Sequence, residues 1–243
     1  MLTKNEIKYI QSLFHKKQRD EDKLFVAEGP KLVHELVNST YVVKHVYATN
    51  KWLQNNPDTK VPLTEISEIE LSRISNLQTP HEVLAIAHQA VHQNEPLLKG
   101  RLTIVLDGLQ DPGNMGTILR IADWFGVQQI ICSNDCVEIY NPKVVQSTMG
   151  SITRVSCWYK DLNEWVKKID VPVFGALLNG KNIYTVGKTQ EGLVVIGNES
   201  KGIREPLLSI ITDPVTIPKV GGAESLNAAV AAGIIVGCLV NNH

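Results

Sequence analysis

Residues 102–124 read LTIVLDGLQDPGNMGTILRIADW. Leu102–Leu106 is a short run of apolar and β-branched residues, the pattern of a strand buried on both faces. Asp107 to Gly113 interrupts it with polar residues and two turn formers, Pro112 and Gly113. From about Gly116 to Trp124 the spacing becomes helical. A strand that feeds a helix through a polar turn is the repeating unit of a parallel sheet, and the alternation continues downstream. Strands are expected over 129–132, 171–178, 193–196 and 215–217, with helices over 162–169 and 205–211. A long apolar helix rich in Ala and Gly is expected over 226–240. The fold class is therefore α/β, with a parallel sheet and helices on both of its faces.

Upstream, residues 88–101 (HQAVHQNEPLLKGR) are polar and carry Pro96 and Gly100, which marks a joint. Before it, Leu32, Val33, Leu36 and Val37 fall at helical spacing. Residues 41–48 and 82–87 read as short strands, and 65–74 as a second helix. This gives a small α/β domain over 1–96 and a larger one over 97–243. A chain of 243 residues accommodates both. With 43% hydrophobic and 20% charged residues it has the composition of a folded protein. No apolar run approaches a membrane span, and Lys4, Glu6 and Lys8 break up the N-terminal pattern that a signal peptide would need. Four cysteines without short paired spacing argue for a reducing cytoplasm. The Asn38 and Asn198 sequons are chance matches in such a compartment. A net charge of −1 excludes a surface that is basic throughout but permits a local nucleic-acid patch. The densest basic stretch is Lys16, Lys17, Arg19 and Lys23, diluted by Asp20, Glu21 and Asp22. It reads as a solvated helix end or as an RNA contact.

Several chemistries are missing. No two glycines stand two apart, so a dinucleotide fingerprint is absent, as are a Walker loop and a Gly-x-Ser-x-Gly elbow. His88 and His92 have the i, i+4 spacing of a metal pair but lack the accompanying Glu and lie in the joint, so no metal is expected. Cys132 and Cys136 read as buried small residues. What remains is three polar clusters at strand ends, where α/β sheets gather their functional groups. In the first, Asn114 can cap the helix or present its amide to a ligand, and Arg120 lies about one turn inside that helix. The second is GNESKG (197–202), with Glu199 at a strand end. The third runs from Ile217 to Asn227 through Gly221 and Gly222. Here Ser225 or Asn227 can cap the final helix, and free backbone groups can grip a small polar ligand.

Taken together, DPGNMGTILRIADWFG, VVIGNESKGI and IP…ESLNAAVAA resemble the three motifs of the SpoU-type (TrmH-like) 2′-O-ribose RNA methyltransferases of the SPOUT superfamily. FVAEGPKLVHELV, with Phe25, Glu28 and Gly29, is similar to the start of the L30e-like substrate-binding domain of one branch. The resemblance implies a homodimer in which S-adenosylmethionine methylates a ribose 2′-hydroxyl, and a trefoil knot in the C-terminal domain. It places the cofactor against Leu177, Gly197, Ile217 and Leu226, and the catalytic group at Arg120 with Asn114, Glu199, Ser225 and Asn227 around it. Lys16, Lys17 and Arg19 of the basic stretch, together with Glu28 of the first domain, are the expected RNA contacts. Relatives usually carry Arg where this chain has Gln146. Arg120 is either the base or a charge stabiliser, since a guanidinium is an awkward proton acceptor. Ribosomal RNA is the expected substrate. Transfer RNA, a base-methylating member and a non-catalytic RNA binder are the alternatives.

Overall fold

The computed structural model describes residues 1–240. The chain divides into two compact units: Met1–Val91 with Glu138–Thr153, and His92–Val137 with the chain from Arg154 onward. The break at 91/92 precedes the expected boundary at 96/97. The segment 138–153, counted by sequence with the second domain, belongs to the first unit.

The first unit runs α1 (Lys4–Ser12), α2 (Lys16–Asp22), β1 (Leu24–Glu28), α3 (Pro30–Val37), β2 (Val43–Ala48), α4 (Asn50–Asn55), β3 (Leu63–Glu65), α5 (Glu68–Ile74) and β4 (Val83–His88). Its sheet has the order β1-β4-β2-β3, with β4 antiparallel to both neighbours and β3 parallel to β2. Capping boxes at Thr3–Glu6 and Ser67–Glu70 start α1 and α5. The expected helix over 65–74 is thus a short strand followed by a later helix start.

The inserted segment carries α7 (Pro142–Ser147), which packs on β1. The ring of Phe25 lies 4.8 Å from that of Tyr140 and 5.7 Å from that of Tyr41, centroid to centroid. Arg19 is 2% exposed. Its guanidinium is paired with Glu138 and donates from Nη1 to the Leu13 carbonyl at 3.0 Å. Glu28 is also buried. It accepts the Asn76 N–H at 3.1 Å and the Ser75 hydroxyl. Burial pushes its carboxyl pKa up, and those two hydrogen bonds oppose the rise. Arg19 and Glu28 therefore act inside the first unit, which corrects their expected place on an RNA surface. Lys16 and Lys17 are exposed as expected. Gln146, in α7, is half-buried.

The second unit runs β5 (Leu102–Leu106), α6 (Pro112–Trp124), β6 (Gln129–Ser133), β7 (Ser156–Lys160), α8 (Leu162–Trp165), β8 (Val173–Asn182), β9 (Gly192–Ile196), α9 (Glu205–Leu208), β10 (Asp213–Thr216) and α10 (Ala228–Leu239). The six strands are parallel in the order β10-β8-β9-β5-β6-β7. Leu162 and Leu207, from α8 and α9, cover the sheet face formed by Val105, Ile131 and Val195. α6 and α10 pack on each other, α6 also on β6 and α10 also on β9.

Two expectations shift in register. α6 begins at Pro112, four residues before Gly116, because the Asp111 side chain caps it and Pro suits the first helical position. Arg120 consequently sits in the third turn of α6 and not one turn inside it. The half-buried edge strand β7 (SCWYK) has no local pattern to announce it. His88 ends β4 and His92 follows in irregular chain, with its ring stacked at 4.5 Å on Trp158, so their helical spacing is not realised.

The buried Arg19–Glu138 pair gives a direct test of the insertion. Glu138→Ala leaves a guanidinium inside the first unit without its carboxylate, and loss of one member of a buried pair costs about 3–5 kcal/mol. Urea unfolding should show a loss of that order for Glu138→Ala and a far smaller one for Arg19→Met combined with Glu138→Leu.

Candidate active site

Three loops gather at the carboxyl ends of β5 and β9 and before α10. Asp111 Oδ1 accepts the Asn114 N–H at 2.7 Å and satisfies the helix start. The Asn114 carboxamide is thereby left free for other partners. Its Nδ2 donates to Glu199 Oε1 at 2.7 Å, and its Oδ1 accepts from Asn227 Nδ2 at 2.8 Å. Asn227 Oδ1 in turn caps α10, accepting from the N–H groups of Ala229 (2.9 Å) and Val230 (3.2 Å). One continuous network of amides and a carboxylate thus joins all three loops. Of the two cap candidates before α10, Asn227 performs the role. Ser225 is exposed and makes no hydrogen bond to a described residue.

The loop bearing Glu199 is closed on itself. Asn198 and Gly202 exchange main-chain hydrogen bonds at 3.0 and 2.9 Å, and Asn198 Oδ1 accepts the N–H groups of Ser200 (2.9 Å) and Lys201 (3.1 Å). Asn198 Nδ2 reaches across to the Gly108 carbonyl at 2.7 Å. Gly197 is required here, because a Cβ would collide with the backbone of Gly202 and Ile203.

The third loop is open. From Pro218 to Leu226 no main-chain group bonds to another described residue. Leu177 and Ile217 are half-buried, while Leu178, Val220 and Leu226 are exposed. Free N–H and C=O groups next to apolar side chains suit a small ligand with a polar edge and an apolar body.

Arg120 stands apart. It is exposed, makes no hydrogen bond or ion pair to a described residue, and shares its helix face with Gly113, Thr117 and Trp124. Six residues separate it from Asn114, about 9 Å along the axis and two-thirds of a turn around it. The structure brings together Asn114, Glu199 and Asn227 within one chain, and does not bring Arg120 to them.

Beneath the first loop, Cys136 Sγ accepts the Leu109 N–H at 3.2 Å. Hydrogen bonds from Cys132, Ser133 and nearby N–H groups outweigh burial and bring its thiol pKa down to about 7. Both cysteines are buried, as their small size suggested. Asp111 and Asn198 were missed by the sequence reading. For Asp111 a local signal existed, a capping residue directly before Pro; for Asn198 the partner is 90 residues away.

Comparison with known proteins bears on these loops. A model of the SpoU rRNA Methylase family matches residues 101–237, and one of the MRM3-like substrate binding domain matches residues 4–85. The chain is 30% identical to the 23S rRNA (guanosine(2553)-2′-O)-methyltransferase RlmP of Bacillus subtilis, covering 95% of this chain and 94% of that protein. A solved chain from Porphyromonas gingivalis, assigned to the TrmH family of RNA methyltransferases, superposes with a TM-score of 0.89 at 35% identity over 99% of this chain and 98% of that one. The AdoMet-bound rRNA methyltransferase of Sinorhizobium meliloti gives 0.85 at 28% identity, over 98% and 95% of the two chains. The family model covers most of the second unit and the Bacillus relative nearly the whole sequence, so the chain belongs to the SpoU rRNA methylase family.

Proposed function

We propose that the protein methylates the 2′-hydroxyl of a ribose in ribosomal RNA, with S-adenosylmethionine as methyl donor. The junction of Asn114, Glu199 and Asn227 carries this reading. It joins the three motif loops in a chain whose near full-length relative is named a 23S rRNA 2′-O-methyltransferase.

When bound, S-adenosylmethionine supplies an electrophilic methyl group on a sulfonium centre. The residues present fit it: the open backbone of 218–226, the tight crossing at Gly197 and the apolar side chains of Leu177, Ile217 and Leu226 offer polar contacts for its edge and apolar cover for its body. The chain's remaining tasks are orientation and charge. Asn114 holds Glu199 through Oε1, leaving Oε2 available to accept a hydrogen bond from the ribose hydroxyl. Arg120 supplies positive charge to the developing alkoxide or the adjoining phosphate, a role that suits a guanidinium better than accepting a proton. Ser225 lies in the same open loop as a further hydroxyl for the substrate.

Arg120 projects from α6 on a different side from the junction, which supports a homodimer in which one copy's Arg120 serves the site of the other. Trp124, 86% exposed one turn further along the same face, and Val230 on α10, 51% exposed, are apolar side chains available for that contact. The first unit, with Lys16 and Lys17 exposed, chooses the RNA. The trefoil knot that the resemblance implies is supported by membership of the SpoU rRNA methylase family. Four free thiols suit a cytoplasmic setting.

Incubation of the purified protein with labelled S-adenosylmethionine and total RNA should place the label on a ribose 2′-oxygen of the large ribosomal RNA. Label on a base, or on transfer RNA alone, would overturn the substrate assignment. Arg120→Ala should lower the single-turnover rate by on the order of a hundredfold or more, while calorimetry finds cofactor affinity within a few-fold of the parent. Light scattering should give twice the 26.9 kDa chain mass. Trp124→Glu should shift that mass toward the monomer and reduce methylation in parallel.

A further inference from the structure

The loop that carries Glu199 leads into α9, a helix of four residues whose N-cap, Arg204, offers no side-chain cap. The position of the loop is set instead by what Arg204 grips. Its main-chain N–H donates to Asp107 Oδ2 at 2.7 Å, and its Nε donates to Asp107 Oδ1, also at 2.7 Å. Nη2 completes a fork onto the same Oδ1 and reaches Asp135 Oδ1 at 3.0 Å, while Nη1 reaches Asp135 Oδ2 at 3.0 Å. Asp107 is the residue directly after β5 and is 1% exposed; Asp135 lies in the loop after β6. Both carboxylates are therefore tied to one guanidinium on the Glu199 loop.

We propose that Arg204 is a positioning residue for methyl transfer, its guanidinium setting the separation between the loop that bears Asn114 and the loop that bears Glu199. Asp107 begins the first of these loops, and four residues later Asp111 caps α6 and presents Asn114. Arg204 ends the second loop, five residues after Glu199. The two loops meet again at Asn198–Gly108 (2.7 Å) and at Asn114–Glu199 (2.7 Å). Moving Arg204 would open the far contact, the one that faces the substrate. The inference rests on the reading that Asn114 and Glu199 belong to the catalytic site.

A direct contact between Arg204 and an RNA phosphate would be the other use of a half-exposed arginine. All three of its side-chain nitrogens are already engaged by carboxylates, and an approaching phosphate would meet Asp107 and Asp135 as like charges. The same contacts hold Arg204 well above the usual arginine pKa, led by the hydrogen bonds to Asp107 and then those to Asp135, and keep the Asp135 carboxyl low, with Ser133 the larger cause there and Arg204 the lesser.

Arg204→Lys tests this, because lysine retains a charge for Asp107 but lacks the fork that spans two carboxylates. Asp135→Asn is the milder companion, since it leaves the buried Arg204–Asp107 pair intact and is read in the same way if Arg204→Lys fails to fold. Misplacement of reacting groups by about 1 Å costs on the order of a hundredfold. Single-turnover methylation at saturating RNA and cofactor should thus fall about tenfold or more for Arg204→Lys and several-fold for Asp135→Asn. The salt dependence of RNA binding should stay unchanged. In an Asn114→Ala background either substitution should add less than about twofold, the non-additivity expected of groups acting through one another. Full rates, additive losses, or an RNA salt slope shallower by about one would each overturn the proposal. An Asn114→Ala enzyme at full speed would instead overturn the reading of the catalytic site, and the proposal with it.

Discussion

Asn114 has one donor group and one acceptor atom on its side chain, and both are committed: the donor to Glu199 and the acceptor to Asn227. Few side chains can do this, because a carboxylate only accepts and a lysine only donates. The rest of the second unit can be traced from that carboxamide. It is free for the task because Asp111 takes over the capping of α6. It meets Glu199 because β5 and β9 are neighbours in register, Leu106 beside Ile196, so that their following loops emerge side by side. It meets Asn227 because α10 returns against α6.

The partners of this junction differ in how firmly they are held. Asn198 and Arg204 bind the Glu199 loop to the end of β5, where Asp107 is enclosed by the sheet. Among the described residues, the loop before α10 is held at its two ends, by the pairing of β10 with β8 and by the Asn227 cap, and not between them. A site built this way keeps its charged group rigid while leaving one wall with unpaired backbone. That arrangement suits recognition of a ligand by main-chain contacts, because the wall's exposed N–H and C=O groups are not engaged by other described residues.

Much of this was legible in the sequence, and for identifiable reasons. Leu102–Leu106 and residues 193–196 announced strands because residues buried on both faces of a sheet are mostly apolar and β-branched. The polar clusters at 114, 199 and 227 stood out because they interrupt such strands or precede an apolar helix. Three features were missed, the first despite a local signal and the other two because their partners are distant in sequence. The start of α6 shifted because an Asp–Pro cap outweighed the hydrophobic period. Arg19 looked like a surface cation because its partner, Glu138, lies 119 residues away. The loop contacts of Arg204 are likewise long-range, 97 residues from Asp107. Local pattern reports burial and turns, but the pairing of buried charges is a property of the tertiary fold.

The insertion of 138–153 into the first unit has a consequence for how the chain comes into being. Polypeptides emerge from the ribosome N-terminus first, at about 5–20 residues per second. Strands β1 to β4 can pair early, but the Arg19 guanidinium must wait 119 residues for Glu138, roughly ten seconds at that pace. The first unit therefore cannot close its interior until all of β5, α6 and β6 have been made. Nor is it a detachable cassette. An exchange of RNA-reading units between relatives would have to transplant two separated stretches of gene, one of them from between the sequences of β6 and β7.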